Sequence, residues 1–181
     1  FFKDVLNAVD YGIPQNRERI YMVCFQNDLK IKDFSFPKAF PLKKHVEDFL
    51  LEDESLVENL YISRPDTYFN GIADTSYSNK PIRLGIVNKG GQGERIYSTK
   101  GIAITLSAYG GGIFAKTGGY LIHGRTRKLH PRECARIMGF PDSYKDALRK
   151  LHAAYPYWQF TAYKTGLDWN TVVDQECKLG R

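Results

Sequence analysis

The sequence predicts an α/β chain in which a strand pair taken from a larger sheet is joined to a small β-rich lobe. Three observations carry this. Residues 2–10 (FKDVLNAVD) and 18–25 (ERIYMVCF) are β-prone runs separated by a Gly-Pro turn signal. Residues 84–124 alternate β-branched and aromatic runs with glycine-framed loops, and hold all but Gly12, Gly71, Gly139, Gly166 and Gly180 of the 16 glycines. Residues 130–140 (HPRECARIMGF) carry a helix signature: Pro131 in the first turn, Cys134, Ile137 and Met138 at i, i+3, i+4, then Gly139 as a stop.

In order, the first two runs read as a hairpin closed through YGIPQNR. In the second run Ile20, Met22 and Cys24 alternate with Tyr21, Val23 and Phe25. Both faces are apolar, so the strand is expected to lie buried in a larger sheet. Arg17 and Arg19, two apart, point to one face of an extended segment. Phe34, Phe36, Pro37, Phe40 and Pro41 then form an irregular apolar link, and Val46, Phe49 and Leu50 give a helix-like stretch among acids (Glu47, Asp48, Glu52, Asp53, Glu54, Glu58) that repel phosphate. A composition shift near Lys80 marks the passage to the glycine-rich lobe, where Ile102, Ile104 and Leu106 suggest a strand ending in a loop. Residues 145–157 carry a second amphipathic pattern (Ala147, Leu148, Leu151, Tyr155).

With 181 residues and 43% apolar content the chain can bury one ordinary core, or a core plus a small lobe. No apolar run approaches the roughly 20 residues that span a bilayer, and no leader pattern opens the chain. Cys24, Cys134 and Cys177 are far apart, without a CxxC or His pairing, so neither a disulfide framework nor a zinc site is indicated, and a reducing, cytoplasmic setting is expected. The chain opens on Phe1 inside a strand-like run and reads as a piece of a longer protein or a processed chain.

Between Pro81 and Arg132, Arg83, Lys89, Arg95, Lys100, Lys116, Arg125, Arg127, Lys128 and Arg132 face one acid, Glu94, whereas the whole chain nets only +6. Such concentration is the footprint of a phosphate backbone. A glycine-rich β-meander with a solubilising basic face is the plainer alternative. Gly90, Gly91 and Gly93 bracket Gln92 and Arg95; lacking a Cβ, glycine lets backbone lie close to a partner. Arg offers a donor fork that matches a guanine edge, and Gln a donor and acceptor side by side. Lys89 flanks this loop, and Ser107, Tyr109 and Gly110 to Gly112 form a second one.

YGIPQNRERIYMVCF resembles the eighth, QxRxR, motif of the DNA (cytosine-5) methyltransferases, and RKLHPRECARIMGFPDSY resembles the ninth. Between them, GIVNKGGQGERIYSTKGIAITLSAYGGGIFAKTGGYL resembles the target-recognition region of one bacterial member closely. The resemblance runs from Leu6 to Lys145. It implies the carboxy-terminal fragment of a Rossmann-like, S-adenosyl-methionine-dependent enzyme: residues 1–47 end the catalytic domain with the last strand hairpin of its sheet, 48–130 form the recognition domain, and 131–181 return to the catalytic domain and a divergent tail. By resemblance Arg19 stands at the rim of the flipped-cytosine pocket, supported by Arg17 and Gln15. Arg95 reads a guanine edge, Gln92 enters the duplex to bond the orphaned guanine, and Ser107, Tyr109 and Gly112 line the second loop. TAYKTGLDWNTVV resembles the tenth motif imperfectly, with Leu167, Asp168 and Trp169 intervening, and would set Asn170 and Thr171 near the methyl donor. The implied site is GCGC with the inner cytosine as target, in a restriction-modification system, and the implied full-length enzyme is monomeric.

Cytosine C5 methylation requires a thiolate, an acid and a bound methyl donor, with the base out of the helix. The family's Pro-Cys, Glu-Asn-Val and cofactor-glycine motifs do not occur here, and a thiol in an unactivated setting is a poor nucleophile. The fragment is therefore expected to be inactive alone and to need its amino-terminal half, in cis or as a separate subunit. The alternatives are a specificity subunit of a split methyltransferase, a non-catalytic DNA-binding module, and a basic β-domain stacking RNA on Tyr97, Tyr109, Phe114 and Tyr120. The last is disfavoured because those aromatics are not in an RNP pattern.

Overall fold

A computed structural model describes residues 1–71, 76–107 and 110–143. Tyr109, Asn170, Thr171, Cys177 and the pattern at 145–157 lie outside them. The expected hairpin is present. Strand β1 (Phe2–Asn7) pairs antiparallel with β2 (Glu18–Val23), register Leu6↔Arg19 and Asn7↔Glu18. The turn is held by the Asn7 side chain, whose Oδ1 accepts from Arg17 N–H at 2.9 Å and whose Nδ2 donates to Asn16 Oδ1 at 2.8 Å.

The expected burial of β2 is not met: Ile20 is 69% exposed and Met22 68%, and Cys24 also faces solvent. The described residues supply this two-stranded sheet with no third strand, so side chains of core type stay uncovered. Phe2, Phe25, Phe34 and Phe36 meet at ring separations of 5.0 to 6.1 Å and cover part of it.

The second sheet has five strands in chain order: β3 (Thr67–Phe69), β4 (Arg83–Val87), β5 (Arg95–Ser98), β6 (Gly119–Ile122) and β7 (Arg125–Arg127). All neighbours are antiparallel except β5 and β6, which are parallel. A parallel pair needs a crossover, and residues 99–118 provide it. Alternation along β5 and β6 feeds two cores. Tyr97, Tyr120 and Ile122 join Val46, Ala103, Leu129 and Ile137 on one side, whereas Ile96 joins Val87 and Phe114 on the other, with Leu121 packed against them.

Helix α1 (Pro131–Ile137) starts at Pro131 as expected and closes the first core through Ile137. The helix-like stretch at 46–50 is 3-10 rather than α: three short turns, Val46–Phe49, Glu54–Leu56 and Glu58–Leu60, with Val46 and Val57 fully buried. Its apolar residues are too few for a longer stripe: Val46 anchors the first turn, and Val57 lies between the second and third. The strand expected at 102–106 is reduced to one bridge, Gln15↔Ala103, because this run lies inside the crossover, away from the ladders. Glu133 and Arg136, one turn apart, do not pair. Arg136 binds Asp142 at 2.7 Å and donates to the carbonyls of Phe49 and Leu50, while Glu133 turns inward.

Among the described residues no helix is long and apolar enough to cross a membrane, and no His, Cys, Asp and Glu group has the makings of a metal site.

Candidate nucleic-acid interface

Gln15 is 1% exposed, so neither its side chain nor its backbone reaches the surface. Residues 14–16 are stitched onto 103–105: Ala103 N–H donates to the Pro14 carbonyl at 2.7 Å, Asn16 N–H to the Ala103 carbonyl at 2.9 Å, and the Thr105 hydroxyl to the Asn16 carbonyl. This fixes the chain just before Arg17 and Arg19. Arg17 is half-buried; Arg19 is exposed, its Nη1 resting on the Glu18 carbonyl at 2.6 Å. Two residues beyond Thr105 the same segment enters the second glycine loop at Ser107, which is exposed.

The first glycine loop is the β4–β5 connection, residues 88–94. Glu94, the lone acid of the basic window, organises it: Oε1 accepts from Asn88 Nδ2 at 2.9 Å and Oε2 from Gly91 N–H at 2.9 Å. These bonds, the side-chain one first, hold its carboxyl below the usual carboxylate range. Gln92 begins a short 3-10 turn (Gln92–Glu94) and is exposed, as is Lys89. Arg95 opens β5, half-buried, its Nε 3.4 Å from the Gly90 carbonyl.

The two loops touch through backbone. Phe114 N–H donates to the Gly93 carbonyl at 2.8 Å. A Cβ on Gly93 would collide with the Gly111 carbonyl, and one on Gly112, whose φ is +99°, would stand 2.5 Å from the Gly93 oxygen. Main-chain contacts thus join residues 14–16 to 103–105 and, separately, the second loop to Gly93, which lies between Gln92 and Arg95 in the chain.

Charge is distributed less simply than composition implies. Arg127 is 1% exposed and forms a bidentate pair with fully buried Glu133, Nη2 to Oε1 at 2.7 Å and Nη1 to Oε2 at 2.8 Å. Arg125 stacks on Tyr61, 3.7 Å from the ring centre, and binds Glu58 at 2.6 Å. Both serve the fold. Arg83, Lys89 and Lys116 are exposed and carry the outward field. Tyr97, Phe114 and Tyr120 are buried, at 6%, 1% and 0% exposure, so they offer no platform for stacking bases.

Phe114 and Glu133 are the residues whose part sequence reasoning missed. A buried role for Glu133 had one signal: it stands three positions after His130, as a helix-capping acid does. Its Oε2 accepts from His130 N–H at 2.7 Å.

A family model described as C-5 cytosine-specific DNA methylase matches residues 1–156. The chain belongs to this family. It is 68% identical over 145 residues to the Type II methyltransferase M.HhaI of Haemophilus parahaemolyticus, an alignment covering 80% of this chain and 44% of that protein. It is 33% identical to M.Bsp6I of a Bacillus species and 34% identical to M.HpaII of Haemophilus parainfluenzae, over 77% of this chain in each case and 44% and 41% of the relative. The chain thus spans less than half the length of these methyltransferases.

Methyltransferases of this family use S-adenosyl-methionine. The space beside Gly93 and Gly112 is filled by the opposing loop, so these two glycines offer no cradle for it. Asn170 and Thr171, offered for that role by resemblance, lie outside the described residues.

Proposed function

We propose that this chain is the DNA-recognising, carboxy-terminal part of a DNA (cytosine-5) methyltransferase acting on a short duplex site, GCGC, by base flipping. The observation that carries the reading is the backbone-locked pair of glycine loops that presents Gln92 outward with Arg95 beside it on a basic edge. In this reading Gln92 enters the duplex and offsets part of the few kcal/mol that unstacking requires. Arg95 reads a guanine edge, and Lys89, Ser107, Tyr109 and Gly112 meet backbone and neighbouring pairs. Arg19 closes the rim of the cytosine pocket, and Arg17 and Gln15 hold that rim to segment 103–105.

The thiolate, the acid and most of the cofactor site belong to an amino-terminal part, so the chain by itself transfers no methyl group. Residues 1–47 and 131–181 complete that catalytic part and 48–130 form the recognition domain. The exposed face of β2 fits this division, since core-type side chains there await neighbouring strands. The working protein is a cytoplasmic monomer of a restriction-modification system.

The test is a fusion of this chain behind the amino-terminal part of M.HhaI, assayed for methyl transfer to duplexes with and without GCGC. Methylation confined to GCGC is expected. Arg95→Ala should reduce discrimination by about 1 to 3 kcal/mol while non-specific affinity changes less. A variant that loses non-specific affinity and keeps its discrimination removes Arg95 from the readers.

A further inference from the structure

Phe114 sits in the second glycine loop, yet its ring is 1% exposed and packs against Val87 and Ile96, the last residue of β4 and the second of β5. Those residues flank the first loop. The ring also lies over Gly119, where a Cβ would stand 2.7 Å from it, so the position accepts nothing larger than glycine. Its N–H meanwhile holds the Gly93 carbonyl, next to Gln92 and two residues before Arg95. The second loop is closed at its base by Ser107 N–H to the Lys116 carbonyl at 3.1 Å and by Gly118 N–H to the Phe114 carbonyl at 2.9 Å. One residue thus ties loop two to both stems and to the crown of loop one.

We propose that Phe114 is a positioning residue for target recognition, locking the two glycine loops into one rigid unit so that Gln92 and Arg95 are placed by a side chain that never reaches DNA. The positioning half of this statement rests on the function proposed above; the lock itself does not. Rigidity matters because a reading side chain must hold its geometry closely to discriminate between bases. The first loop's own contacts, through Asn88, Gly91 and Glu94, fix its shape, and Asn88 N–H ties its start to the Asp66 carbonyl at 3.1 Å; the tie at its crown comes from Phe114.

The lock is tested by amide hydrogen exchange on the full chain. Phe114→Ala should speed exchange of the amide at position 114, whose bond to the Gly93 carbonyl crosses between the loops, by on the order of tenfold or more, while amides of the β6–β7 ladder keep their rates. Phe114→Leu, which refills most of the cavity, should restore slow exchange and also covers the case in which the alanine variant does not fold. An unchanged rate at the amide of position 114 in a folded variant overturns the lock. The positioning role is tested in the M.HhaI fusion by the ratio of affinities for GCGC and scrambled duplexes. A ratio reduced by Phe114→Ala and recovered by Phe114→Leu, with scrambled-duplex affinity unmoved, is the expected result. If Arg95→Ala lowers the ratio and Phe114→Ala does not, the positioning role fails. If neither does, the recognition reading fails, and exchange still decides the lock.

Discussion

Arg127 and Glu133 form an ion pair in a part of the molecule that water does not reach, and Glu133 carries four bonds: two from Arg127, one from Leu51 N–H at 2.8 Å and one from His130 N–H at 2.7 Å. The pair joins β7, α1 and the segment after the Val46–Phe49 turn at one point. Removing one partner strands the other charge, so Glu133→Ala should destabilise the fold by about 3 to 5 kcal/mol, measured by urea denaturation. Replacing both charges together, Arg127→Met with Glu133→Leu, should cost much less. An equal loss in the double variant would show that the four bonds, rather than the stranded charge, hold this junction. Sequence counting placed Arg127 among the DNA-facing cations because a side chain's charge is visible in the sequence and its partner six residues away is not. The same limit hid Phe114, one aromatic among several until the sheet placed Val87 and Ile96 around it.

Elements whose signals are local were legible. The hairpin came from two β-prone runs and a turn, and α1 from Pro131 and Gly139, because caps and turns are decided within a few residues. Segments 46–60 and 102–106 were not, since their patterns fit several conformations and tertiary packing chose among them. The first glycine loop permits a test at this scale. Glu94 titrates below its ordinary value in the folded chain, held there first by Asn88 and then by Gly91. A depressed carboxyl contributes its stabilisation above the unfolded value and loses it as pH falls through the folded one. The Gly91 amide resonance should therefore hold its bonded position through the usual carboxylate range and move only below it. Asn88→Ala should shift that midpoint upward, and a midpoint at the ordinary glutamate value in the parent chain would dismiss the clamp.

For the whole molecule, the balance of charge sets how it meets DNA. Acidic segment 54–58 neutralises Arg125 through Glu58 and sets Glu54 3.1 Å from His123, so this side of the basic window is closed. The outward field then rests on the exposed Arg83, Lys89 and Lys116. Affinity for duplex DNA should fall with salt at a log-log slope of about 0.9 per phosphate contacted. Lys89→Ala and Lys116→Ala should each lower that slope by about one where the lysine meets a phosphate, whereas Arg125→Ala should leave it unchanged. A slope that drops for Arg125→Ala and not for the lysines would place the interface on the opposite side.

The sequence by itself determined the family, the hairpin, the helix after Pro131 and which residue types stand in the two glycine loops, because motifs and turn signals are written in neighbouring residues. The tertiary structure alone decided which cations remain to face a partner, that the two loops hold each other through Gly93, Gly112 and Phe114, and that the segment before Arg17 is anchored on residues 103–105. Those are contacts between residues far apart along the chain, fixed by the burial of Ile96, Phe114 and Ile137 and by the need to satisfy buried polar groups, and neither condition can be read from any short stretch.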